Sequence, residues 1–206
     1  MKRRLVLLWA LAGCALIVAS SSDAAASRTL LVFGDSLSAG YGLPRDKTWA
    51  SLLAQRLKQE GLDYTVANAS LSGETTLGGM HRISGVLARH KPAIVLLALG
   101  ANDALRGQNV EVIQKNLEAM IEACRKANAQ VVLIGMRIPP NYGSAYANKF
   151  RDVYVEVARR HKLALVPFLL KVLRRMRSGF RPTACIRRRA RSPSCWIRCG
   201  KRCVAR

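Results

Sequence analysis

Short apolar runs alternate with longer amphipathic stretches along residues 29–168. The apolar runs lack internal polar alternation, which is typical of strands buried on both faces of a parallel sheet. They predict five strands, at 29–33, 63–70, 93–100, 129–136 and 163–168. The amphipathic stretches predict helices at 48–61, 75–90, 109–128 and 144–161. We therefore expect an α/β fold, a flavodoxin-like three-layer αβα sandwich around a five-stranded parallel sheet.

The first 26 residues have the organisation of an export signal. Basic residues at Met1–Arg4 precede an apolar run at Leu5–Ala19, and small residues near Ala26 offer a cleavage site. The run is shorter than the ~20 apolar residues of a transmembrane span, so cleavage is expected rather than anchoring. The "LAGC" segment ending at Cys14 resembles a lipoprotein cleavage box, but the apolar run continues past it, so lipidation is the less favoured alternative. We expect a mature chain that is periplasmic or secreted.

The formal net charge of +22 arises from 34 basic and 12 acidic residues, and it is unevenly distributed. Thirteen of the basic residues lie in a tail at 171–206, and no Asp or Glu follows Glu156. The tail also holds four of the six cysteines, Cys185, Cys195, Cys199 and Cys203. Their spacing lacks paired metal-binding knuckles and a nearby His, so we expect no metal site there. The excess basicity is therefore mainly a property of the tail.

Three stretches rich in small and polar residues follow the first three predicted strands. They are "FGDSLSAGYGL" with Ser36, "NASLSGETT" with Gly73 and "LALGANDALRG" with Asn102. Alone, Ser36 is also compatible with a simple turn or helix cap. Sites in such folds form outside the carboxyl ends of the strands, so the three stretches are expected at one edge of the sheet. A serine hydroxyl, glycine N–H and amide side chain can together attack a carbonyl and hold its oxyanion.

These motifs identify residues 29–170 as similar to the GDSL, or SGNH, hydrolases, and in particular to the bacterial periplasmic thioesterase, arylesterase and lysophospholipase branch. The resemblance implies that Ser36 is the nucleophile and that Ser36, Gly73 and Asn102 form the oxyanion hole. It also implies small acyl ester or thioester substrates and no metal or organic cofactor.

The acid and base of that family come from an Asp-x-x-His motif near the C-terminus, and this chain has none. Its three histidines, His81, His90 and His161, lie in other contexts, on or at the ends of predicted helices. No catalytic Asp or His is therefore assigned from the sequence. Without a base the serine cannot lose its proton efficiently, so we expect the chain as written to be catalytically impaired.

The abrupt change of composition at Lys171 suggests a shifted reading frame. The codons CCG ACG GCC TGC ATC CGC are permitted for Pro182–Arg187 and read from their third base as Asp-Gly-Leu-His-Pro, which contains the missing motif. Continuing through Arg202 permits an amphipathic closing helix. We hypothesise a signal at 1–26, a hydrolase domain at 27–170, and an out-of-frame tail at 171–206 that is disordered and leaves the closing helix missing.

The alternative class is a non-enzymatic binding protein whose basic tail contacts anionic lipid or nucleic acid. The tail has the charge for this, but it lacks the aromatic interleaving that is typical of base stacking. We therefore expect no specific nucleic-acid partner and at most weak electrostatic contact with membranes. The sequence does not predict an oligomeric state.

Overall fold

The computed structural model describes residues 28–168. The predicted export signal, the lipidation alternative at Cys14, the tail at 171–206 and the missing closing helix lie outside the described residues. Within residues 28–168, none of the helices combines the length and the apolar character needed to cross a membrane.

The expected α/β fold is confirmed, with all five strands parallel and in the order β2-β1-β3-β4-β5. The strands are β1 (Arg28–Gly34), β2 (Tyr64–Asn68), β3 (Ile94–Ala98), β4 (Gln130–Ile134) and β5 (Ala164–Val166). The four predicted helices are also present, as α2 (Trp49–Gln59), α3 (Thr76–His90), α5 (Val110–Lys126) and α6 (Ser144–Arg160). Two short α-helices were not predicted, α1 (Ser36–Ala39) and α4 (Ala101–Leu105), and both begin within the sequence motifs. Two three-residue 3₁₀ helices, Arg45–Lys47 and Pro140–Tyr142, were not predicted either.

The sheet separates two apolar cores of unequal size, because successive side chains of a strand point to opposite faces. One face, packed against α3, α5 and α6, carries five strand side chains with no exposed surface, Leu31, Phe33, Val95, Leu97 and Leu133. On the other face Leu30 and Val32 form a smaller core with Ala50 of α2. Burying one such leucine or phenylalanine contributes about 1.5–3 kcal/mol, so the three-helix face supplies the larger share of the stability.

Helix α3 has a defined beginning and end, and its beginning lies at the edge where the motifs meet. The Thr75 side chain accepts a hydrogen bond from Gly78 N (3.2 Å), which satisfies one of the unpaired amides of the first turn. Ile83 and Leu87, four residues apart, are buried against the sheet. At the other end, Lys91 adopts a left-handed backbone and donates its N–H to Leu87 O (2.8 Å), which ends the helix.

Candidate active site

Ser36 is the first residue of α1, two residues after the end of strand β1, which lies between β2 and β3 in the sheet. Asp35 caps this helix through its side chain, which accepts from Leu37 N at 3.0 Å. The interpretation of Ser36 as the cap is therefore wrong, because Asp35 has that role. Ser36 is partly exposed, and its hydroxyl makes no hydrogen bond with any other described residue. The hydroxyl is thus available at the carboxyl edge of the sheet.

Gly34 allows α1 to turn back closely over the end of β1. A Cβ atom at this position would lie 2.6 Å from Ser38 Oγ and 2.8 Å from Ala98 O of the neighbouring strand β3. Both distances are too short for a carbon atom, so a side chain here would push α1 away from the sheet. The absence of a side chain at Gly34 therefore fixes the position of the Ser36 turn relative to β3.

Gly73 lies in the loop between β2 and α3, beside the Ser36 turn. Leu71 N donates to Gly34 O (3.0 Å), which joins this loop to the end of β1. Glu74 N donates to Leu71 O (3.2 Å) and closes a four-residue turn in which Gly73 has φ +79°. Glycine adopts this conformation without strain. The N–H of Gly73 makes no hydrogen bond within the described part of the chain and can serve a ligand.

Asn102 lies in α4, after the other strand that adjoins β1. Its Nδ2 donates to Glu74 O at 2.9 Å, so the amide contacts the residue that follows Gly73. Tyr154 of α6 contacts the segment before α4, because its hydroxyl donates to Leu99 O at 2.8 Å. Burial raises the pKa of Tyr154 well above its ordinary value, so the hydroxyl keeps its proton for this bond. One hydrogen of the Asn102 amide remains for a further acceptor.

A buried polar network holds the Gly73 and Asn102 loops together. The Asp103 carboxylate accepts from Thr76 N (2.8 Å) and from the Thr76 hydroxyl (2.6 Å). Asn116 of α5 in turn donates to the Thr76 hydroxyl oxygen at 3.0 Å. Thr76 starts α3, so the carboxylate also meets the positive end of a helix dipole. Sequence reasoning missed this role of Asp103, although the residue directly follows Asn102.

Arg82 braces the Gly73 loop from the side of α3. Its Nε donates to Glu74 Oε2 (2.8 Å) and its Nη1 to Ala69 O (2.9 Å), so it contacts both ends of the loop. Its guanidinium carbon lies 4.4 Å from the centre of the Phe33 ring, a cation–π arrangement. The ion pair is largely shielded from water, which makes it stronger than a surface pair.

Asp35 is a buried carboxyl group next to the candidate nucleophile. It is 1% exposed, and its Oδ2 atom has no hydrogen-bond partner within the described residues. Burial raises the pKa of Asp35, and the negative charge of Asp103 raises it further, while the bond from Leu37 N acts in the opposite direction.

The three histidines do not approach Ser36 through any contact within residues 28–168. His81 is exposed on α3, and His90 is the last residue of that helix. His161 ends α6, where Arg125 contacts its ring nitrogen Nδ1 (3.1 Å) and its carbonyl oxygen (2.5 Å). Helices that follow parallel strands run back across the sheet, so His90 and His161 lie at the edge opposite Ser36. In the same part of the chain, no cluster of His, Cys, Asp or Glu could hold a metal ion.

The chain matches a family model and several known proteins. The model of the GDSL-like lipase/acylhydrolase family matches residues 32–187. Esterase TesA of Pseudomonas aeruginosa is 48% identical over 161 residues, which cover 78% of this chain and 80% of TesA. The thioesterase 1/protease 1/lysophospholipase L1 of Escherichia coli is 37% identical over 148 residues, 72% of this chain and 70% of its own.

A solved structure supports the same relationship. AlinE4, an SGNH-hydrolase family esterase, superposes with a TM-score of 0.69 at 36% identity, covering 77% of this chain and 87% of its own. The family match includes all three motif stretches and continues beyond Leu170, where the motif resemblance ends, to Arg187. The chain therefore belongs to the GDSL-like lipase/acylhydrolase family of ester hydrolases.

Proposed function

We propose that this protein is an exported serine ester hydrolase that acts through an acyl-enzyme on Ser36. One observation carries the proposal: Gly73, Ser36 and Asn102 follow the three adjacent strands β2, β1 and β3, and hydrogen bonds join their loops. The esterase and thioesterase relatives support small acyl esters or thioesters as the substrate class.

In this reaction Ser36 Oγ attacks the carbonyl carbon of the acyl group. The carbonyl oxygen becomes an oxyanion, which the N–H groups of Ser36 and Gly73 and the Nδ2 of Asn102 would hold. Collapse of the intermediate expels the alcohol or thiol, and water then releases the acid from the serine. Each oxyanion donor of this kind contributes about 2.7–4 kcal/mol to the stabilisation of the transition state.

The proton of Ser36 needs a base, and we propose that the out-of-frame tail has removed it. The support is the lack of an Asp-x-x-His motif in the whole sequence and the loss of acidic residues after Glu156. Without the base, catalysis falls by several orders of magnitude, and the oxyanion hole alone provides the remainder. Sequencing the gene across Leu170 tests this proposal, since an early stop in the shifted frame would contradict it.

We also propose that residues 1–26 direct export to the periplasm or the medium. The support is the order of basic, apolar and small residues in the sequence. N-terminal sequencing of the protein from the periplasmic fraction should give a start near Ser27. A start at a lipidated Cys14 would favour the lipoprotein alternative.

The decisive experiment compares two purified proteins, the chain as written and one with the shifted frame restored after Leu170. Hydrolysis of p-nitrophenyl acetate and a short acyl-thioester is measured for each, with Ser36→Ala as the matched control of both. Activity confined to the restored protein and lost with Ser36→Ala supports both parts of the proposal. Equal activity of the two proteins would mean that one of the three histidines supplies the base.

The same pair of proteins tests the alternative of a binding protein. A fluorophosphonate probe should label Ser36 in the restored protein, whereas a protein without a hydrolase site would remain unlabelled. The alternative would be favoured if the protein shows no hydrolysis but binds nucleic acid or lipid in a salt-sensitive way. This binding should then disappear when the residues after Leu170 are deleted.

A further inference from the structure

Exposed apolar side chains are concentrated around the candidate active site. Ten large apolar side chains are exposed in the described part of the chain, and seven lie on the connections after β1 to β4 or within two residues of them. We call these seven the apolar rim: Leu37, Tyr41, Leu43, Leu71, Leu77, Leu105 and Tyr142. Because connections after parallel strands leave the sheet at one edge, the rim lies at the same edge of the sheet as Ser36.

The opposite edge of the sheet provides a contrast. Its connections, at 60–63, 91–93, 127–129 and 161–163, carry none of the ten exposed side chains. Within the rim, exposure is greatest after α1, where Tyr41 is 81% and Leu43 is 56% exposed. Scattered exposed leucines need no explanation, but a concentration around one site marks an interaction surface.

The exposed charged side chains beside the apolar rim are mainly basic. Four basic side chains are exposed within the same limits, Arg45, Lys47, Arg106 and Arg137, against two exposed acids, Asp46 and Glu111. The other carboxylates of these connections are turned inward, as Glu74 is by Arg82 and Asp103 is by Thr76. The apolar rim is therefore edged by net positive charge.

We propose that the apolar rim and its four basic residues dock the protein on an anionic lipid bilayer, with Ser36 facing the lipid. Leucine and tyrosine side chains enter the interface between headgroups and acyl chains, and basic side chains bind anionic headgroups. A second copy of the chain fits less well, because two rims would bring like charges together. A single acyl chain would fill one groove, whereas the rim extends over four connections. Docking does not depend on hydrolysis and is measured separately from it.

Vesicle binding by the full chain tests the apolar part of the proposal. The vesicles contain ether-linked phosphatidylglycerol and phosphatidylcholine, so that hydrolysis cannot alter them. The variant Tyr41→Ser/Leu43→Ser/Leu105→Ser should bind at least about tenfold more weakly, because each buried leucine contributes more than that step of free energy. The matched control, Leu52→Ser/Val155→Ser, changes exposed side chains of α2 and α6 away from the rim and should bind as the unaltered chain does.

A variant that removes two of the four basic side chains tests whether they bind anionic headgroups. Arg45→Gln/Arg106→Gln should weaken binding to anionic vesicles by about fivefold per residue and leave binding to pure phosphatidylcholine unchanged. The control, Lys58→Gln/Lys126→Gln, removes basic residues near the ends of α2 and α5, at the opposite edge of the sheet. The basic tail is the same in every variant, so differences between variants report on the rim alone.

Amide hydrogen exchange locates the contact directly. Anionic vesicles should slow exchange at 37–47, 70–77 and 101–108, and not along the middle of α6. Protection confined to residues after 170, or equal binding by the rim and control variants, would overturn the proposal in favour of attachment through the tail. Protection that rises with protein concentration in the absence of vesicles would overturn it in favour of a second copy of the chain.

Discussion

The two sides of the candidate site are held in place by different interactions. On the side of Gly73 and Asn102, charged groups bind buried or half-buried partners, as Asp103 does with Thr76 and Arg82 with Glu74. On the side of Ser36, a four-residue helix is held by the Asp35 cap, by a bond from Asn68 Nδ2 to Ser38 O (2.8 Å) and by close backbone packing. Both sides contain buried polar atoms without hydrogen-bond partners among the described residues, Asp35 Oδ2 and Ser38 Oγ on the side of Ser36, and Ser70 Oγ and Arg82 Nη2 on the side of Gly73.

This difference corresponds to the two tasks of the proposed reaction. Oxyanion donors are effective only when they are already oriented before the charge develops, and the hydrogen bonds that link Asp103, Thr76 and Asn116 provide that rigidity. A buried polar atom without a partner costs about 1–3 kcal/mol, and such costs are concentrated at functional sites. The hydrogen bonds of Asp103 and Arg82 thus help to offset the cost of the unpaired polar atoms on both sides of the site.

The largest expected effect on stability comes from Asp103→Ala, which removes the hydrogen bonds that join the Gly73 and Asn102 loops. This change leaves Thr76 N–H and the Thr76 hydroxyl without their acceptor in a buried place, so the free energy of unfolding should fall by about 3–5 kcal/mol. Urea denaturation with an unchanged m-value measures the loss. The control Asp152→Ala removes an exposed carboxylate and should change stability by about 0.5 kcal/mol or less. Equal losses for the two variants would show that the network does not hold the loops.

A pair of glycine substitutions distinguishes packing from backbone conformation on the two sides. Gly34→Ala places a methyl group against Ser38 and the Ala98 carbonyl, and should cost about 3 kcal/mol. In Gly73→Ala the added methyl group meets no atom within 4 Å, so the only cost is the left-handed backbone conformation at this position. The free energy of unfolding should fall by about 1 kcal/mol. Thermal or urea unfolding of both variants measures the difference. A larger loss for Gly73→Ala would reverse our account of how the Ser36 turn is positioned.

The smallest effect concerns Asp35 and depends on pH. Because burial raises its pKa in the folded state, the folded chain binds the proton more tightly than the unfolded chain. Its contribution to stability therefore falls as the pH rises from the ordinary pKa of 3.8 through the raised value, and then stays constant. Asp35→Asn keeps a good helix cap but cannot titrate, so its stability relative to the unaltered chain should increase over that pH range.

Urea denaturation at a series of pH values measures this relative stability. The exposed Asp63→Asn provides the control. If the stability of Asp35→Asn relative to the unaltered chain decreased with rising pH, the pKa of Asp35 would be lowered rather than raised in the folded chain.

Elements with a clear hydrophobic period could be predicted from the sequence. All five strands and the four long helices were predicted, and their bounds differ from the structure by at most a few residues. The third strand was predicted to reach residue 100 because Leu99 is apolar, but the strand ends at Ala98. Leu99 is buried outside the sheet, and its carbonyl oxygen accepts a hydrogen bond from Tyr154. The helices α1 and α4 were missed, since four or five residues are too few to show a helical period.

The edge at which the motifs meet was predictable, whereas the interactions that hold it were not. Parallel strands place Ser36, Gly73 and Asn102 at one edge whatever the side chains between them. The partners of Asp103 are Thr76, 27 residues earlier in the chain, and through it Asn116, 40 residues after Thr76. No local pattern relates residues at such separations, and only the packing of α3 against α5 brings them together.

The order of the strands also has a consequence for biosynthesis. The chain is made from its N-terminus, and β1 and its two neighbours in the sheet, β2 and β3, are the first three strands to be synthesised. The nucleophile, the donor loops and the network that braces them are all encoded before residue 117. The frameshift that we propose near Leu170 would leave this part of the coding sequence untouched, and insertion or deletion of bases there would restore the reading frame that encodes the missing Asp and His.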